Sequence, residues 1–194
     1  MKRICVFCGS NQGVRPEYRL AAIEFARTLA ARKIGLVYGG ASVGLMGVIA
    51  DTMLACGGQV IGVIPRMLVD SEVAHRMLTE LREVDSMHAR KAMMAELADG
   101  FATLPGGFGT LEEFTEVISW RLLGIHQKPC GLLNVGGYFN GLLQFLDYAV
   151  AQHFIKPAHR ANVLVEQYPA QLVKRLEHAF LGANDHWLVR KEQA

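Results

Sequence analysis

Phe101-Ala102-Thr103-Leu104-Pro105-Gly106-Gly107-Phe108-Gly109-Thr110-Leu111-Glu112-Glu113 runs from an apolar strand through a glycine-rich turn into a helix. Phe101 to Leu104 has the apolar character of a buried strand, the Pro-Gly-Gly turn ends it, and Thr110 to Ile125 reads as the helix that follows. Glycines let main-chain N–H groups converge on an anion, and a helix start adds unpaired donors and a partial positive charge, a combination suited to phosphate. A carboxylate one turn in then sits where a sugar attached to that phosphate would lie. Thr110 and Glu113 also have capping-box spacing, which stabilises a helix start with no ligand at all. The segment alone leaves both readings open.

Outward from this unit the same alternation repeats. Strands are expected at Arg3–Cys8, Ile34–Tyr38, Gln59–Ile64, Gly131–Val135 and Val163–Val165. Helices are expected at Pro16–Arg32, Gly44–Cys56, Ser86–Ala98 with Ser86 as N-cap, Tyr138–His153 and Pro169–Leu181. Residues 65–80 read as an irregular loop. Near-continuous apolar strands alternating with helices imply an α/β, single-domain, doubly wound (Rossmann-like), mostly parallel sheet with helices on both faces. The domain is expected over 1–182, with a C-terminal tail at 183–194. In such folds ligands bind outside the carboxyl ends of the strands. Three glycine-rich turns fall there: Gly9-Ser10-Asn11, Gly39 to Gly44, and Gly106 to Gly109.

Composition narrows the function classes. The 194 residues are 51% hydrophobic and 20% charged, with 20 basic against 18 acidic residues and a net charge of +2. That argues against disorder and gives no electrostatic case for nucleic acid as the main partner. No run approaches the roughly 20 apolar residues of a membrane span. The opening Met1 to Ser10 is too short in its apolar part for a signal peptide, so a soluble cytoplasmic protein is expected. Cys5-x-x-Cys8 lies in a strand, where residues three apart face opposite ways, so a redox or zinc pair is disfavoured. Cys5, Cys8, Cys56 and Cys130 are expected as buried, reduced thiols. The seven histidines form no ligand cluster, and no protein-bound metal is expected. Neither the dinucleotide fingerprint nor a P-loop is present, so NAD chemistry and NTP hydrolysis are poorly supported and no cofactor is called for.

Met87-His88-Ala89-Arg90-Lys91 places two cations near a helix start, against the helix dipole. They form either a solvated basic face or a set that reaches an anionic ligand. In a parallel sheet Arg90 and Glu113 can meet at one ligand edge.

Met87-His88-Ala89-Arg90-Lys91 together with Pro105 to Glu113 resembles the Lonely guy (LOG) family, the cytokinin riboside 5′-monophosphate phosphoribohydrolases long misnamed lysine decarboxylases. Phe7-Cys8-Gly9-Ser10, Tyr38-Gly39-Gly40 with Gly44-Leu45-Met46-Gly47, and Gly131 to Val135 with Gly137-Tyr138-Phe139 are similar to further family segments, so the resemblance runs from about residue 3 to about residue 180. It implies hydrolysis of the N-glycosidic bond of a nucleoside 5′-monophosphate, with Arg90 and Glu113 as the catalytic pair. It implies that Gly106, Gly107, Phe108, Gly109, Thr110, Leu111 and Glu112 line the phosphate and ribose. Lys91, Glu72, Gly9, Ser10 and Gly40 would be further substrate contacts. Ala41 stands where the family usually has a third glycine. Arg90 is a poor general acid because it stays protonated, and its expected role is electrostatic and positional. Glu112 and Glu113 lie roughly 100° apart on a helix, so one of them should point away. Glu116 shares the Glu113 face as a supporting residue.

Thr110–Ile125 is apolar almost all round, which implies a central helix or one shared with a second subunit. The family usually forms dimers, and a homodimer with this helix near the two-fold axis is expected. The alternative class is a nucleotide or molybdenum-cofactor carrier of the same fold, which has no need of the Arg90/Glu113 pair. A pyridoxal-phosphate decarboxylase would need a Schiff-base lysine.

Overall fold

The computed structural model describes residues 1–69 and 73–192, with side chains described as far as residue 181. Seven parallel strands form one sheet: β1 (Arg3–Phe7), β2 (Gly35–Tyr38), β3 (Val60–Pro65), β4 (Glu80–Val84), β5 (Gly100–Thr103), β6 (Cys130–Leu133) and β7 (Val163–Glu166). Their order is β4-β3-β2-β1-β5-β6-β7. The chain builds outward from β1 to β4, then returns to lay β5 beside β1 and builds the other way. Right-handed crossovers put the helices of the two halves on opposite faces. The reversal leaves a crevice between the carboxyl ends of β1 and β5, the switch point where such folds bind ligands.

Helices α1 (Pro16–Ala31), α2 (Gly44–Ala55) and α8 (Pro169–Glu192) cover one face, where Phe25, Leu29, Ile49, Met53 and Leu176 pack on Ile4, Val6, Leu36 and Ala102. Helices α4 (Met87–Leu97) and α5 (Phe108–Leu122) cover the other, where Met94 and Val117 meet Cys5, Phe7, Val37, Val63 and Phe101. Beside them α6 (Asn140–Ala151) joins a smaller cluster of Phe114, Leu132, Phe139 and Val163. Short helices α3 (Arg66–Val69) and α7 (Pro157–Arg160) fill connections. Six central and flanking strands thus lie where their apolar runs place them. Ser86 caps α4 as expected, its hydroxyl accepting from the Ala89 N–H at 3.1 Å.

Several expectations change. β4 was not expected, and only its first residue falls in the expected 65–80 loop: Glu80, Arg82 and Glu83 break the apolar run, because only the last residue of this edge strand is buried. α3 likewise falls inside the presumed loop. α5 begins at Phe108 rather than Thr110, so Gly107 is the N-cap and the Thr110–Glu113 capping box does not form. The helix expected from Tyr138 starts at Asn140 and ends at Ala151, and a 3₁₀ turn over Val135–Gly137 precedes it. The final helix extends past Leu181 to Glu192. Cys56 is exposed rather than buried, since it is the C-cap of α2, while Cys5, Cys8 and Cys130 are buried and free. Among the described residues no helix is long and apolar enough to cross a membrane.

Candidate active site

The turns after β1 and β5 are tied together across the switch point: the Gly9 N–H donates to the Pro105 carbonyl at 3.0 Å. The β2–α2 turn closes against the same place, since the Leu45 N–H donates to the Gly9 carbonyl at 3.0 Å. Gly44 (φ +61°) passes so near that a Cβ there would lie 2.2 Å from the Ser10 carbonyl carbon. The three glycine-rich turns therefore do converge. Gly9, Ser10, Gly106 and Gly107, with Asn11, Gln12, Gly13, Tyr18, Leu45 and Tyr138, line a cavity of about 240 Å³.

Tyr138 went unassigned in the sequence beyond its place in a similar segment. Its hydroxyl donates to the Gly106 carbonyl at 2.5 Å, and its ring meets Tyr18 edge-on at 5.4 Å between centroids. It props the turn from the cavity wall, a role that no local pattern announces.

At the start of α5 the first N–H to find a helical partner is that of Leu111, which donates to Gly107 at 3.1 Å. The donors that precede it have no partner within the helix, the condition under which a helix start can take an anion. A Cβ on Gly107 or Gly109 would meet nothing within 4 Å. Neither has a positive φ. Among the described residues neither contact nor a positive φ demands glycine at these two positions, and the space beside them is open. Thr110 is buried beneath Gly106, where a Cβ would clash with its hydroxyl. Leu111 packs toward the Phe114 cluster, and Phe108 is 94% exposed.

Arg90, in the second turn of α4, is held by main chain. Its Nε donates to the Val63 carbonyl at 3.1 Å and its Nη2 to the Gly39 carbonyl at 3.2 Å. The guanidinium is thereby fixed over the ends of β2 and β3. Lys91 donates to Glu112 and, at 3.1 Å, to Glu116. Its hydrogen bonds to these two carboxylates raise its pKa. Glu112 and Glu116, four apart on α5, form this clamp, and Glu116, three residues on from Glu113, also acts on the Glu113 carboxyl through its charge.

Glu113 takes no part in this clamp and is half-buried on α5. Burial pushes its carboxyl up to about 7 against the pull of Arg90, with the charges of Glu112 and Glu116 adding to the rise and Lys91 opposing it. Its charge is felt at Cys5 and Cys8, whose thiols burial already raises strongly. No ion pair joins Arg90 to Glu113 among the described residues. The structure brings together Arg90, Lys91, Glu112 and Glu113 across α4 and α5, one helical turn from the glycine-rich start. Gly40 (φ +76°) stands behind them in the β2–α2 turn, its carbonyl engaged by the His75 N–H at 2.8 Å. Ala41 is buried against Ala74. Glu72 lies outside the described residues.

The arrangement offers donors for an anion, a carboxyl that ionises near neutrality, and a fixed guanidinium. Among the described residues no group of histidine, cysteine and acidic side chains could hold a metal ion.

A family model described as possible lysine decarboxylase matches residues 46–176. The chain is 54% identical over 176 residues to the probable cytokinin riboside 5′-monophosphate phosphoribohydrolase LOGL9 of Oryza sativa subsp. japonica, covering 91% of this chain and 78% of that one. It is 51% identical to the cytokinin riboside 5′-monophosphate phosphoribohydrolase LOG7 of Arabidopsis thaliana, covering 91% and 81%. Among solved structures, the molybdenum cofactor binding protein of Rippkaea orientalis superposes with a TM-score of 0.70 at 19% identity, over 92% of this chain and 97% of that one. At that identity the likeness concerns the fold.

Proposed function

The chain belongs to the Lonely guy family of cytokinin riboside 5′-monophosphate phosphoribohydrolases, and on that premise we propose that it hydrolyses a purine nucleoside 5′-monophosphate to free base and ribose 5-phosphate. The base is adenine or an N6-substituted adenine.

The observation that carries the reading is Glu113. It is a half-buried carboxyl ionising at about 7, under the field of Arg90, one turn into a helix whose first main-chain N–H groups have no helical partner. A phosphate held at that helix start brings its ribose toward Glu113. As the N-glycosidic bond breaks, the base leaves with the bonding electrons and positive charge develops on the ribose, as in glycoside cleavage. Ionised Glu113 stabilises that charge and takes a proton from the water that adds to C1′, a task suited to a base whose pKa lies near 7. Arg90, locked on two carbonyls, supplies a fixed positive charge to the phosphate, the ribose hydroxyls or the departing base. Lys91 contributes through the charge balance around Glu113.

The older family description fits less well. A Schiff-base lysine needs its free amine, whereas Lys91 is held as an ammonium by two carboxylates. A carrier of the same fold has no use for a carboxyl raised to about 7.

We also place the protein in the cytoplasm, as a homodimer formed through α5. Three buried free thiols suit a reducing compartment. Leu123 and Ile125, 76% and 65% exposed just beyond α5, leave apolar surface for a second copy to cover. The domain is taken as 1–182 with a terminal segment beyond it.

Incubation with AMP and with isopentenyladenosine monophosphate, followed by chromatography, is the test of the reaction. Release of adenine or isopentenyladenine with ribose 5-phosphate supports it; tight binding of both nucleotides without turnover would favour the carrier.

A further inference from the structure

The seat of Arg90 is a glycine turn, and that turn is held from behind. A Cβ on Gly39 would lie 1.9 Å from Arg90 Nη2, so the guanidinium occupies the space a side chain would fill. Gly39 and Gly40 are consecutive, and Gly40 adopts a φ of +76°. Two adjacent glycines make the softest backbone available. The direction of the Gly39 carbonyl must therefore be set by contacts from outside the turn.

Within the turn the Tyr38 hydroxyl donates to the Ala41 carbonyl at 3.1 Å, and the contacts from outside it come from the segment Val73–Met77. The Ser42 N–H donates to the Val73 carbonyl at 2.8 Å, the His75 N–H donates to the Gly40 carbonyl at 2.8 Å, and Ala41 pairs with Ala74 as an antiparallel bridge. The segment is in turn anchored by the His75 side chain, 8% exposed. Its Nδ1 accepts from the Met77 N–H at 3.2 Å, which leaves the ring proton on Nε2. Nε2 lies 2.9 Å from Asp51 Oδ1 on α2 and donates to it. Both ring nitrogens are used: the Nδ1 bond fixes the ring within the segment, and the Nε2 bond ties the segment to α2. An apolar side chain would fill the same volume without either.

We propose that His75 is a positioning residue for the reaction: by joining segment 73–77 to Asp51 it fixes the Gly39–Gly40 turn, and through the Gly39 carbonyl the attitude of the Arg90 guanidinium. The inference rests on the assignment of Arg90 to the reaction made above. His75 touches neither substrate nor Glu113 in this scheme. Its removal leaves Arg90 in place but free to tilt, so it lowers turnover rather than nucleotide binding.

The test is a double-mutant cycle on AMP hydrolysis, with melting temperatures recorded for every variant. His75→Ala is expected to lower kcat about tenfold while KM stays within about twofold, the scale on which small misplacements act. His75→Gln, which keeps a donor for Asp51, recovers part of the loss. In an Arg90→Ala background, His75→Ala costs nothing further. Where His75→Ala does not fold, Asp51→Asn replaces it in the same cycle, with a smaller loss that also vanishes without Arg90. An equal fractional loss in both backgrounds, or a folded His75→Ala protein with wild-type kcat, overturns the proposal. Wild-type kcat in Arg90→Ala itself is a separate result, which removes the reading of Arg90 on which the proposal stands.

Discussion

Arg90 and Glu113 feel each other's charge without pairing. The hydrogens of Arg90 go to the carbonyls of Gly39 and Val63, and its field still draws the Glu113 carboxyl downward against a larger rise from burial. A direct ion pair would hold Glu113 as an inert carboxylate well below neutrality. The unpaired arrangement keeps its proton exchangeable at about pH 7.

Activity should follow that proton. With ionised Glu113 as the working form, kcat/KM rises with pH and levels above about 7, distinct from the substrate phosphate's own ionisation near about 6. Glu113→Gln is expected to bind AMP and lose most of its turnover, on the order of a hundredfold. A profile flat from pH 5 to 8 would count against Glu113 as the base.

The same group should weaken the fold in alkali. The native state holds the Glu113 proton to about pH 7, while the unfolded chain releases it at about 4.5. Its contribution to stability is therefore full below about 4.5 and lost as pH rises to about 7, a change on the order of 3 kcal/mol. Glu113→Gln should thus melt higher than wild type at pH 8 and show little of that gain at pH 4.

The neighbouring charges should move the acid limb in opposite directions. Lys91 lowers the Glu113 pKa and Glu112 raises it. Lys91→Gln is expected to shift the limb to higher pH, and Glu112→Gln to lower pH. Coincident profiles for the two variants would mean that the limb belongs to another group.

Arg90→Lys keeps the charge but loses the planar fork that spans two carbonyls. We expect a loss of at least about tenfold in kcat, because a shift of about 1 Å in a catalytic group can cost a hundredfold. A near-normal rate would reduce Arg90 to a point charge.

Gly109→Ala separates binding from stability. The added methyl meets nothing within 4 Å, and alanine in a helix is favoured over glycine by about 0.5–1 kcal/mol. The variant should be slightly more stable, yet its KM for AMP should rise, since the methyl stands beside the anion site. An unchanged KM would place the phosphate elsewhere.

Strand and helix alternation and the glycine turns at the carboxyl edge were legible along the chain, while the roles given to Arg90, Lys91, Glu112 and Glu113 came from the family resemblance. Apolar periodicity and turn chemistry are local properties, written in neighbours within a few residues. β4 escaped because an edge strand needs little burial, so Glu80, Arg82 and Glu83 could stand in it. The side-chain geometry belonged to tertiary structure alone. That Lys91 is shared by Glu112 and Glu116, that Tyr138 props Gly106, and that Arg90 rests in the gap left by Gly39 are contacts between residues 21 to 51 positions apart. The pKa of Glu113 follows from burial by the whole sheet and from charges on two helices. Composition cannot state a proximity that exists only once the chain has folded.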